Sequence, residues 1–386
     1  MKRIVVIGGG SGGVMFSNRM RGAFTPDEVE ITVIERSEKH FYQPAFTLVV
    51  FDLDDPVNLM RPTKDLFFEG IKLIHDEATK IDAANNKVST AKSGDISYDY
   101  LVIATGARLI FDEDPEGLKS ALDKGTNTFN FYKLDGAIKL RDALKSLDGG
   151  TIVSSVCSMP IKCPAAPMKF IMMAEDMMRE KGIRNKFKFI FTTPMPAVFS
   201  REPYASKLNS IFASRGIETV ANFNPSEVDS DKGVLKDFGK KEVRFDTLTI
   251  TPPHGGEAII DNSEGVGDAA GWVTCDKNLM VSKKYSNVYG IGDATDFPTS
   301  KTASGIRKQA KVLVARLAAD ITGVPTKAAY DGEIICPMLT KNKRVMFAHF
   351  NYTEAISPAI ESYANWVLKV HMLRPLYWNL MLNALV

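Results

Sequence analysis

Short apolar runs alternate along the chain with segments whose apolar residues have helical spacing. The first run, residues 4–7, ends in a cluster of glycines and is followed by residues 14–20, which have the spacing of an amphipathic helix. A second apolar run covers residues 30–34. This order of strand, glycine turn, helix and strand predicts a parallel βαβ unit at the start of the chain.

A second unit of the same plan begins at Thr151. A strand rich in β-branched residues leads into a loop, then into a predicted helix over residues 166–181 and a strand over residues 187–192. We therefore predict an α/β protein with two Rossmann-like dinucleotide-binding domains.

The length and composition agree with this plan. A chain of 386 residues exceeds what one hydrophobic core usually supports, and 45% hydrophobic with 24% charged residues is ordinary for a globular protein. A net charge of +2 creates no field strong enough to attract nucleic acid, so we expect no nucleic-acid partner. The first strand begins at Arg3, which leaves no room for a secretory signal peptide, and we therefore expect a cytoplasmic protein.

The cysteines suggest redox chemistry more readily than structural disulfides. In a reducing compartment free, metal-bound or redox-active thiols are favoured over disulfide staples. No two cysteines have the close spacing of a zinc-ligand pair and the five histidines are scattered, so we predict no metal site. The four cysteines are Cys157, Cys163, Cys275 and Cys336.

The glycine turn of the first unit has the chemistry of a dinucleotide site. Gly8, Gly10 and Gly13 permit a tight turn, bring the backbone close to a pyrophosphate and let the helix pack on the strand. The N–H groups at the start of the helix then face the anion. Glu35, at the end of the second strand, is placed to accept both ribose hydroxyls.

The corresponding loop of the second unit, residues 157–167, contains no glycine. Pro160 and Pro164 remove N–H groups from the place that would hold a phosphate. An NAD(P)H site of the usual kind is therefore not expected, and another electron donor is implied. Cys163 precedes the predicted helix, where the helix dipole and the charge of Lys162 favour a thiolate.

Two further segments, residues 98–107 and 287–296, resemble fingerprints of the two-dinucleotide-binding-domain flavoproteins, which include glutathione reductase and type II NADH dehydrogenases. The resemblance implies FAD, with Asp293 on the ribityl chain. It also implies a helix over residues 303–320 that points at the flavin N1/O2 edge, where its dipole and Lys301 stabilise the reduced flavin. The predicted cofactor-binding residues are Gly8, Gly10, Gly13, Glu35, Pro44, Ala78, Thr105, Gly106, Asp293 and Lys301.

The same resemblance implies a discontinuous domain organisation. Residues 1–107 and 265–330 would form the FAD-binding domain, like that of glutathione reductase. Residues 108–264 would form the second Rossmann-like domain, with a degenerate nucleotide loop. Residues 331–386 would form a C-terminal segment that interacts with a quinone and a membrane.

The cysteine positions narrow the resemblance to one family. Residues 162–166 and 251–254, together with Cys336, resemble the sulfide:quinone oxidoreductases and the flavoprotein subunit of flavocytochrome c sulfide dehydrogenase. In that family two cysteines beside the flavin carry sulfur as a disulfide or polysulfide bridge, and the matching positions are Cys163 and Cys336. Many members have a third cysteine that can bind the flavin covalently, but the matching residues 127–133 contain none, so non-covalent FAD is expected.

This resemblance implies sulfide oxidation by thiol exchange. Hydrosulfide attacks the bridge and leaves a persulfide on one cysteine and a thiolate on the other. We assign to Cys336 the thiolate that attacks the flavin. Cys157 is a candidate substitute for the third cysteine, with a buried structural thiol as the alternative, and Cys275 is expected to be structural. His254 is a candidate base for hydrosulfide, with a solvated loop histidine as the alternative.

The chain beyond Cys336 becomes richer in apolar and aromatic residues. Its last uncharged run, residues 375–386, is well short of the roughly 20 residues that a spanning helix needs. Trp and Tyr flanked by Lys369, His371 and Arg374 fit a helix in the headgroup region, so we expect a peripheral, monotopic protein on the cytoplasmic face of the membrane. The alternative is a helix docked on the protein's own core or on a second subunit of a homo-oligomer.

A lipid-soluble quinone needs such a platform. Phe347 and Phe350 are candidate walls of its pocket, with core packing as the alternative. The implied function is FAD-dependent oxidation of sulfide to polysulfide or sulfur, with electron transfer to a membrane quinone. Two alternatives remain: a type II NADH:quinone oxidoreductase, which would need a working second glycine loop, and a catalytically silent flavoprotein or electron-transfer subunit.

Overall fold

The apolar runs form two separate parallel sheets in the computed structural model, which describes residues 1–386. The first sheet contains, in spatial order, the strands Val288–Gly290, Tyr100–Ile103, Lys2–Ile7, Val29–Ile34 and Ile71–Ile74. The second contains Thr128–Phe129, Thr247–Thr251, Gly150–Val156, Phe187–Thr192 and Ile217–Val220. The predicted α/β fold with two Rossmann-like sheets is thus confirmed.

The central strand of the first sheet shows why its sequence is a continuous apolar run. Ile4, Val5, Val6 and Ile7 are all buried. Successive side chains of a strand point to opposite faces of the sheet, and both faces of a covered parallel sheet are apolar, so every position of the strand favours an apolar residue. The helix Ser11–Ala23 packs against the helix Ala303–Thr322 beside this sheet.

Each helix predicted from the sequence begins within a few residues of the expected position. The helix after the cysteine loop is Ala166–Glu180, and the helix after the Gly-Asp segment is Ala303–Thr322. The remaining α-helices are Ser11–Ala23, Phe46–Val50, Leu118–Lys124, Leu134–Ser146, Tyr204–Ser214, Ala258–Asp261, Tyr363–Val367 and Leu373–Leu376.

Smaller antiparallel sheets surround the two parallel ones. Two are three-stranded and consist of Ala78–Asp82, Lys87–Thr90 and Asp95–Ser97, and of Pro225–Asp229, Val234–Asp237 and Glu242–Arg244. A third contains Ile334–Lys341, Arg344–Phe350 and Glu361–Ser362. Two-stranded pairs join Lys39–Phe41 to Met60–Pro62 and Arg108–Leu109 to His254–Gly255.

The chain ends in a helical segment, residues 363–386, that combines α and π turns and is called here the C-terminal segment. Its π turns are Leu368–Met372 and Tyr377–Met381. It docks on the rest of the protein, since Arg374 Nε donates to Asp54 Oδ2 at 2.9 Å and Lys369 Nζ donates to the Pro44 carbonyl at 2.9 Å. No helix of the protein combines the length and the apolar character that crossing a membrane requires.

Candidate active site

A cavity of about 740 Å³ extends from the glycine turn to the C-terminal segment. Its volume lies within the range of cofactor and ligand sites. Residues of both parallel-sheet regions and of the C-terminal segment line it, so it exists only when these three parts of the chain are folded together. Nine of the ten predicted cofactor-binding residues line it, Gly13 being the exception.

The glycine turn at one end of the cavity is closely packed against the protein at Gly8 and Gly13 and open to the cavity at Gly10. Gly8 has a φ of +106°, and a Cβ there would lie 2.4 Å from the Ala104 carbonyl oxygen. A Cβ at Gly13 would lie 1.8 Å from the Gly8 carbonyl oxygen, which explains why Gly13 supports the turn from below. A Cβ at Gly10 would meet no protein atom within 4 Å and would instead occupy cavity space. The turn therefore offers a backbone cradle to a pyrophosphate.

Glu35 is fixed at the end of its strand by backbone donors. Its two carboxylate oxygens accept hydrogen bonds from the N–H groups of Gly9 and Ser37. A carboxylate can accept about four hydrogen bonds, so capacity remains for ribose hydroxyls.

Two residues that line the cavity carry a buried side-chain oxygen without a hydrogen-bond partner, namely Asp293 Oδ1 and Thr105 Oγ1. Burial raises the pKa of Asp293. Buried polar atoms in native proteins are usually paired, and the hydroxyls of a ribityl chain would pair these. The glycine cradle, Glu35 and these orphaned oxygens together fit FAD, which when bound accepts two electrons and passes them on.

Lys301 was expected to stabilise the reduced flavin, but in the structure its ammonium binds backbone carbonyls beside the cavity. Its Nζ donates to the carbonyls of Asp293 at 2.9 Å and Thr295 at 2.7 Å, and it lies 3.9 Å from the centroid of the Trp272 ring. Burial lowers the pKa of Lys301 to about 8. The ammonium thus anchors the turn that carries Asp293, in addition to lining the cavity.

Cys163 and Cys336 meet at the wall of this cavity, as free thiols. Cys163 lies three residues before the helix Ala166–Glu180, and Cys336 lies in the strand Ile334–Lys341. The Cys163 backbone is left-handed, with a φ of +47°, and its N–H donates to the Lys301 carbonyl at 2.8 Å. An unusual backbone conformation of this kind is retained where the surrounding structure and function require it.

Two buried lysines flank the cysteine pair: Lys169, which the sequence analysis did not single out, and Lys369, which it expected in a headgroup region. Lys169 Nζ is 3.1 Å from Cys163 Sγ, and Lys369 of the C-terminal segment lines the same cavity. Burial lowers the pKa of Lys369 to about 8. The available signal was a lysine on the otherwise apolar, Met-rich helix after Cys163, where all residues from Ala166 to Asp176 are buried.

These neighbours give the two thiols opposite acidities. A hydrogen bond from Cys336 and the positive charges of Lys169 and Lys369 outweigh burial and hold the pKa of Cys163 well below its usual value. The hydrogen bond to Cys163 and burial hold the pKa of Cys336 well above its usual value. Cys163 is therefore the thiolate of the pair and Cys336 the protonated thiol.

The structure places Cys157 and Cys275 away from the cavity wall. Cys157 belongs to a small separate core that includes Val153 and Ile190, and burial raises its pKa. Cys275 is buried in the main core, and burial also raises its pKa. Both have the environment of structural thiols, the alternative that the sequence left open for Cys157 and the expectation for Cys275.

The alternative interpretation of His254 as a solvated loop residue is wrong. It pairs with Leu109 in a two-residue strand and is buried, and its Nδ1 lies 2.9 Å from the Pro252 carbonyl oxygen. Burial and the charge of Lys162 lower its pKa to about 3. It packs behind Tyr132, with 5.1 Å between ring centroids, and does not line the cavity. A base for hydrosulfide needs a pKa nearer neutrality and direct access, so the structure gives the proposed role no support.

The two candidate quinone residues point in different directions. Phe347 lines the cavity, whereas Phe350 packs against Phe199 and Tyr204 outside it. Side chains three positions apart in a strand lie on opposite faces, so the two could not both form one wall.

The C-terminal segment closes the cavity with apolar side chains and one polar link. His40 Nε2 lies 2.6 Å from Tyr377 Oη, which lies 2.6 Å from Ser11 Oγ at the start of the first helix. His40 Nδ1 lies 3.0 Å from the carbonyl oxygen of Gly9. The segment is thus tied directly to the glycine turn. Its cavity-lining residues are Leu368, Lys369, Leu373, Leu376, Tyr377 and Met381.

Comparison with known proteins agrees with this geometry. The family described as pyridine nucleotide-disulphide oxidoreductase matches residues 2–153. The chain is 33% identical to the mitochondrial sulfide:quinone oxidoreductase of Dictyostelium discoideum, over 99% of this chain and 86% of that protein. Its identity to the mitochondrial sulfide:quinone oxidoreductase of Mus musculus is also 33%, with the same coverage.

The X-ray structure of the sulfide:quinone oxidoreductase from Aquifex aeolicus has the same fold, with a TM-score of 0.86. It is 24% identical and covers 100% of this chain and 92% of that chain. The chain therefore belongs to the sulfide:quinone oxidoreductase family and is, like its members, an FAD-binding oxidoreductase.

Proposed function

We propose that this protein oxidises hydrosulfide at the Cys163–Cys336 pair and passes the electrons through FAD to a quinone. The observation that carries the proposal is the contact of Lys169 with Cys163 on the wall of the cavity that fits FAD. A thiolate held by a buried ammonium is an effective leaving group and electron donor. The loop with Pro160 and Pro164 in place of a glycine turn supports a donor other than NAD(P)H.

The lysines favour a division of roles between the sulfurs that reverses the assignment from sequence. Hydrosulfide attacks Cys336 of the bridged pair, the S–S bond breaks, and Cys163 leaves as a thiolate beside Lys169. Cys336 then carries a persulfide that keeps the proton of hydrosulfide. When the persulfide and the thiolate join again, the bridge is one sulfur longer, and one proton and two electrons are released.

The quinone is proposed to enter beneath the C-terminal segment. Phe347 and the apolar side chains of that segment line this end of the cavity, and Lys369 is the charged group beside them. A buried ammonium with a pKa lowered to about 8 can supply a proton to a reduced quinone oxygen.

Peripheral attachment to a membrane, on its cytoplasmic face, is part of the same proposal. The C-terminal segment docks on the protein but leaves large apolar side chains exposed, with exposures of 54% for Tyr363, 46% for Met372 and 68% for Leu385. Trp378, which Arg61 stacks on at 4.7 Å, anchors the docked segment. Exposed apolar and aromatic side chains suit a headgroup region. Lys369 and Arg374, which the sequence analysis expected to face the headgroups, are instead bound within the protein, to the Pro44 carbonyl and to Asp54.

We also propose the domain division drawn from the sequence. The strands of the first sheet lie between residues 2–103 and 288–290, and those of the second lie between residues 128 and 251. This distribution supports a discontinuous FAD-binding domain, residues 1–107 and 265–330, around an inserted second domain. A homo-oligomer remains a prediction.

Anaerobic flavin reduction by sulfide tests the proposed reaction. Sulfide should bleach the flavin absorbance of the native protein, while Cys163→Ala and Cys336→Ala should lose this reduction almost completely. Cys157→Ala is the matched control and should keep it, because Cys157 lies in a separate core. Full bleaching in both active-pair variants would reject the mechanism, and rapid reduction by NADH but not by sulfide would favour a type II NADH:quinone oxidoreductase.

A further inference from the structure

A chain of short hydrogen bonds joins the C-terminal segment to the glycine turn, and the proposed reaction gives it no role. His40 Nδ1 lies 3.0 Å from the Gly9 carbonyl oxygen, and His40 Nε2 lies 2.6 Å from Tyr377 Oη. Tyr377 Oη lies 2.6 Å from Ser11 Oγ. All four residues line the cavity that fits FAD. His40 and Tyr377 are buried, so their polar atoms depend on these bonds.

The direction of each hydrogen bond follows from the Gly9 carbonyl. A carbonyl oxygen only accepts, so His40 Nδ1 carries a proton and donates it to Gly9. In a neutral imidazole Nε2 is then the acceptor, and Tyr377 Oη must donate to it. Ser11 Oγ in turn donates to Tyr377 Oη, whose own proton is already engaged. As long as His40 is neutral, the Ser11 proton is therefore held by Tyr377 and not offered to a ligand.

Ser11 stands at the place where the pyrophosphate of FAD is expected. It follows Gly10, begins the helix Ser11–Ala23 and is only partly buried. The free N–H groups and the dipole of a helix start attract an anion. Phosphate oxygens accept hydrogen bonds, so a phosphate beside Ser11 needs its hydroxyl as a donor. The chain of hydrogen bonds would then end in an acceptor on both sides, the Gly9 carbonyl and the phosphate.

Counting protons shows that neutral side chains cannot satisfy both ends. The links Gly9–His40, His40–Tyr377, Tyr377–Ser11 and Ser11–phosphate are four, and each needs one proton. Neutral His40, Tyr377 and Ser11 supply one proton each, which leaves one link without a proton. Two buried acceptors would face each other there, an arrangement that is destabilising. An imidazolium has a proton on both nitrogens, so protonated His40 completes the set.

We propose that His40 takes up a proton when the pyrophosphate of FAD binds, and that Tyr377 relays this change to Ser11. His40 Nε2 then donates to Tyr377 Oη, Tyr377 donates to Ser11 Oγ, and Ser11 donates to a phosphate oxygen. One proton is taken from solvent for each FAD bound, and no electron moves. His40 and Tyr377 are thus positioning residues that act on the cofactor through Ser11. This inference depends on FAD binding and not on the oxidation of sulfide.

The charges around His40 agree with a protonation that depends on the cofactor. Among the protein's own groups, burial lowers the pKa of His40 to about 4, and the bond to the Gly9 carbonyl offsets burial only in part. A close opposite charge raises such a pKa by about 1–3 units, and the pyrophosphate supplies negative charge at Ser11. The titratable and charged groups around the imidazole are Tyr377 of the C-terminal segment, Arg61 of the paired strand, Glu35 behind the glycine turn, and Lys39 and Tyr42 on either side of it in the chain.

The test follows the protonation of His40 directly, by NMR of protein labelled with the heavy nitrogen isotope at histidine. Imidazole nitrogen shifts report the protonation state, and the His40 signal is the one that His40→Gln lacks. The pKa of His40 should be about 1–3 units higher in the FAD-loaded protein than in the FAD-free protein.

The affinity for FAD, measured by flavin fluorescence, should show the same linkage. A pKa that is higher in the complex strengthens binding at pH values below it, and this gain is lost as the pH rises through it. If the pKa rises by about two units, FAD should bind about tenfold more tightly at pH 5 than at pH 8.

Two variants separate the proton from the relay. His40→Gln places an amide near the position of Nε2, which can donate to Tyr377 without taking up a proton, so FAD should bind about equally well at pH 5 and pH 8. Tyr377→Phe breaks the link to Ser11 and should remove most of the shift in the pKa of His40. The matched controls are His371→Gln and Tyr363→Phe, which alter exposed residues of the same segment outside the cavity and should preserve the native pH dependence. Thermal unfolding checks that each variant is folded.

An equal pKa of His40 in the FAD-loaded and FAD-free proteins would overturn the proposal. A pH-dependent affinity that persists in His40→Gln would also overturn it, because another group would then take up the proton. A full pKa shift in Tyr377→Phe would reject the relay, since the phosphate charge would then act on His40 through space.

Discussion

At the scale of single residues, the chemistry of the site depends on one ammonium in contact with one sulfur. Lys169 is buried, and although burial lowers its pKa, the negative charge of Cys163 and the hydrogen bond to that sulfur outweigh burial and raise the pKa. Each charge therefore stabilises the other in a part of the protein that excludes water. An isolated charge there would be far more costly.

Replacing this ammonium should change the acidity of Cys163 directly. Lys169→Met preserves much of the side-chain volume, and we expect it to raise the pKa of Cys163 by about 1–3 units, the range for the loss of a close opposite charge. The pH dependence of Cys163 alkylation in the reduced protein measures this shift. Sulfide-dependent flavin reduction should slow by the thiolate fraction lost, up to about tenfold for each unit by which the pKa of Cys163 comes to exceed the assay pH.

A lysine outside the site provides the comparison. Lys188→Met removes an exposed ammonium that pairs with Glu218 at 2.7 Å, and it should leave both measurements unchanged. If Lys169→Met left the Cys163 profile in place, the ammonium would not control the thiolate.

At the scale of elements, two glycines near opposite ends of the first helix are expected to have different roles, one in cofactor binding and one in helix stability. Gly10 precedes the helix Ser11–Ala23 and faces the cavity, while Gly22 lies near the helix end and is exposed. Neither would bring an added Cβ within 4 Å of another atom. The same substitution at the two positions therefore separates cofactor binding from helix stability.

We expect Gly10→Ala to fold, because an added Cβ meets no protein atom, but to bind FAD at least about tenfold more weakly. The methyl group would occupy the place of the pyrophosphate, and a tenfold loss corresponds to about 1.4 kcal/mol of binding free energy. Gly22→Ala should retain FAD normally and increase the free energy of unfolding by about 0.5–1 kcal/mol, the usual gain of alanine over glycine in a helix. Flavin fluorescence after gel filtration and urea unfolding measure the two effects. Equal FAD retention in both variants would contradict the predicted phosphate cradle.

The proposed membrane attachment depends on the exposed apolar side chains of the C-terminal segment. Met372→Ser together with Leu385→Ser should reduce co-sedimentation with liposomes several-fold, because both remove exposed apolar surface from the C-terminal segment. Phe238→Ser removes a similarly exposed apolar side chain, 64% exposed, beside the small sheet of the second domain and should have no effect. Equal liposome binding by all variants would rule out these exposed side chains of the C-terminal segment as the site of attachment.

At the scale of the whole molecule, two buried histidines couple stability to pH. Burial lowers the pKa of His40 to about 4 and that of His254 to about 3, whereas an unfolded histidine titrates near 6.5. Between these values the unfolded chain binds more protons than the folded protein. The free energy of unfolding must therefore fall as the pH drops from about 6.5 towards 4.

Each histidine should contribute a fall on the order of 3 kcal/mol over this range, since one pKa unit corresponds to about 1.4 kcal/mol. Urea unfolding of the FAD-free protein at a series of pH values measures it, and His254→Gln should flatten the dependence by its share. His75→Gln, which alters an exposed histidine, should preserve the slope of the native protein. An identical slope in His254→Gln would show that this imidazole does not resist protonation in the folded state.

Local spacing allowed much of the fold to be predicted. The strand Phe187–Thr192 matches its predicted limits, and the helix Ala166–Glu180 differs from its predicted end by one residue. Apolar runs, β-branched residues and glycine turns act over a few residues, so their consequences can be deduced before the chain is folded. The helix starts after the glycine turn and after Cys163 were predictable for the same reason.

The sequence by itself determined the two Rossmann-like units, the glycine cradle and the two cysteine positions that resemble a sulfur-handling pair. Only the tertiary structure decided that Lys169 and Lys369 flank Cys163, that His254 is buried behind Tyr132, and that Phe350 faces away from Phe347. Charge interactions and burial depend on which surfaces meet when distant segments pack, and the linear order of residues does not contain that information. The thiolate of the candidate site is thus a property of the folded molecule, although its sulfur could be identified from the chain.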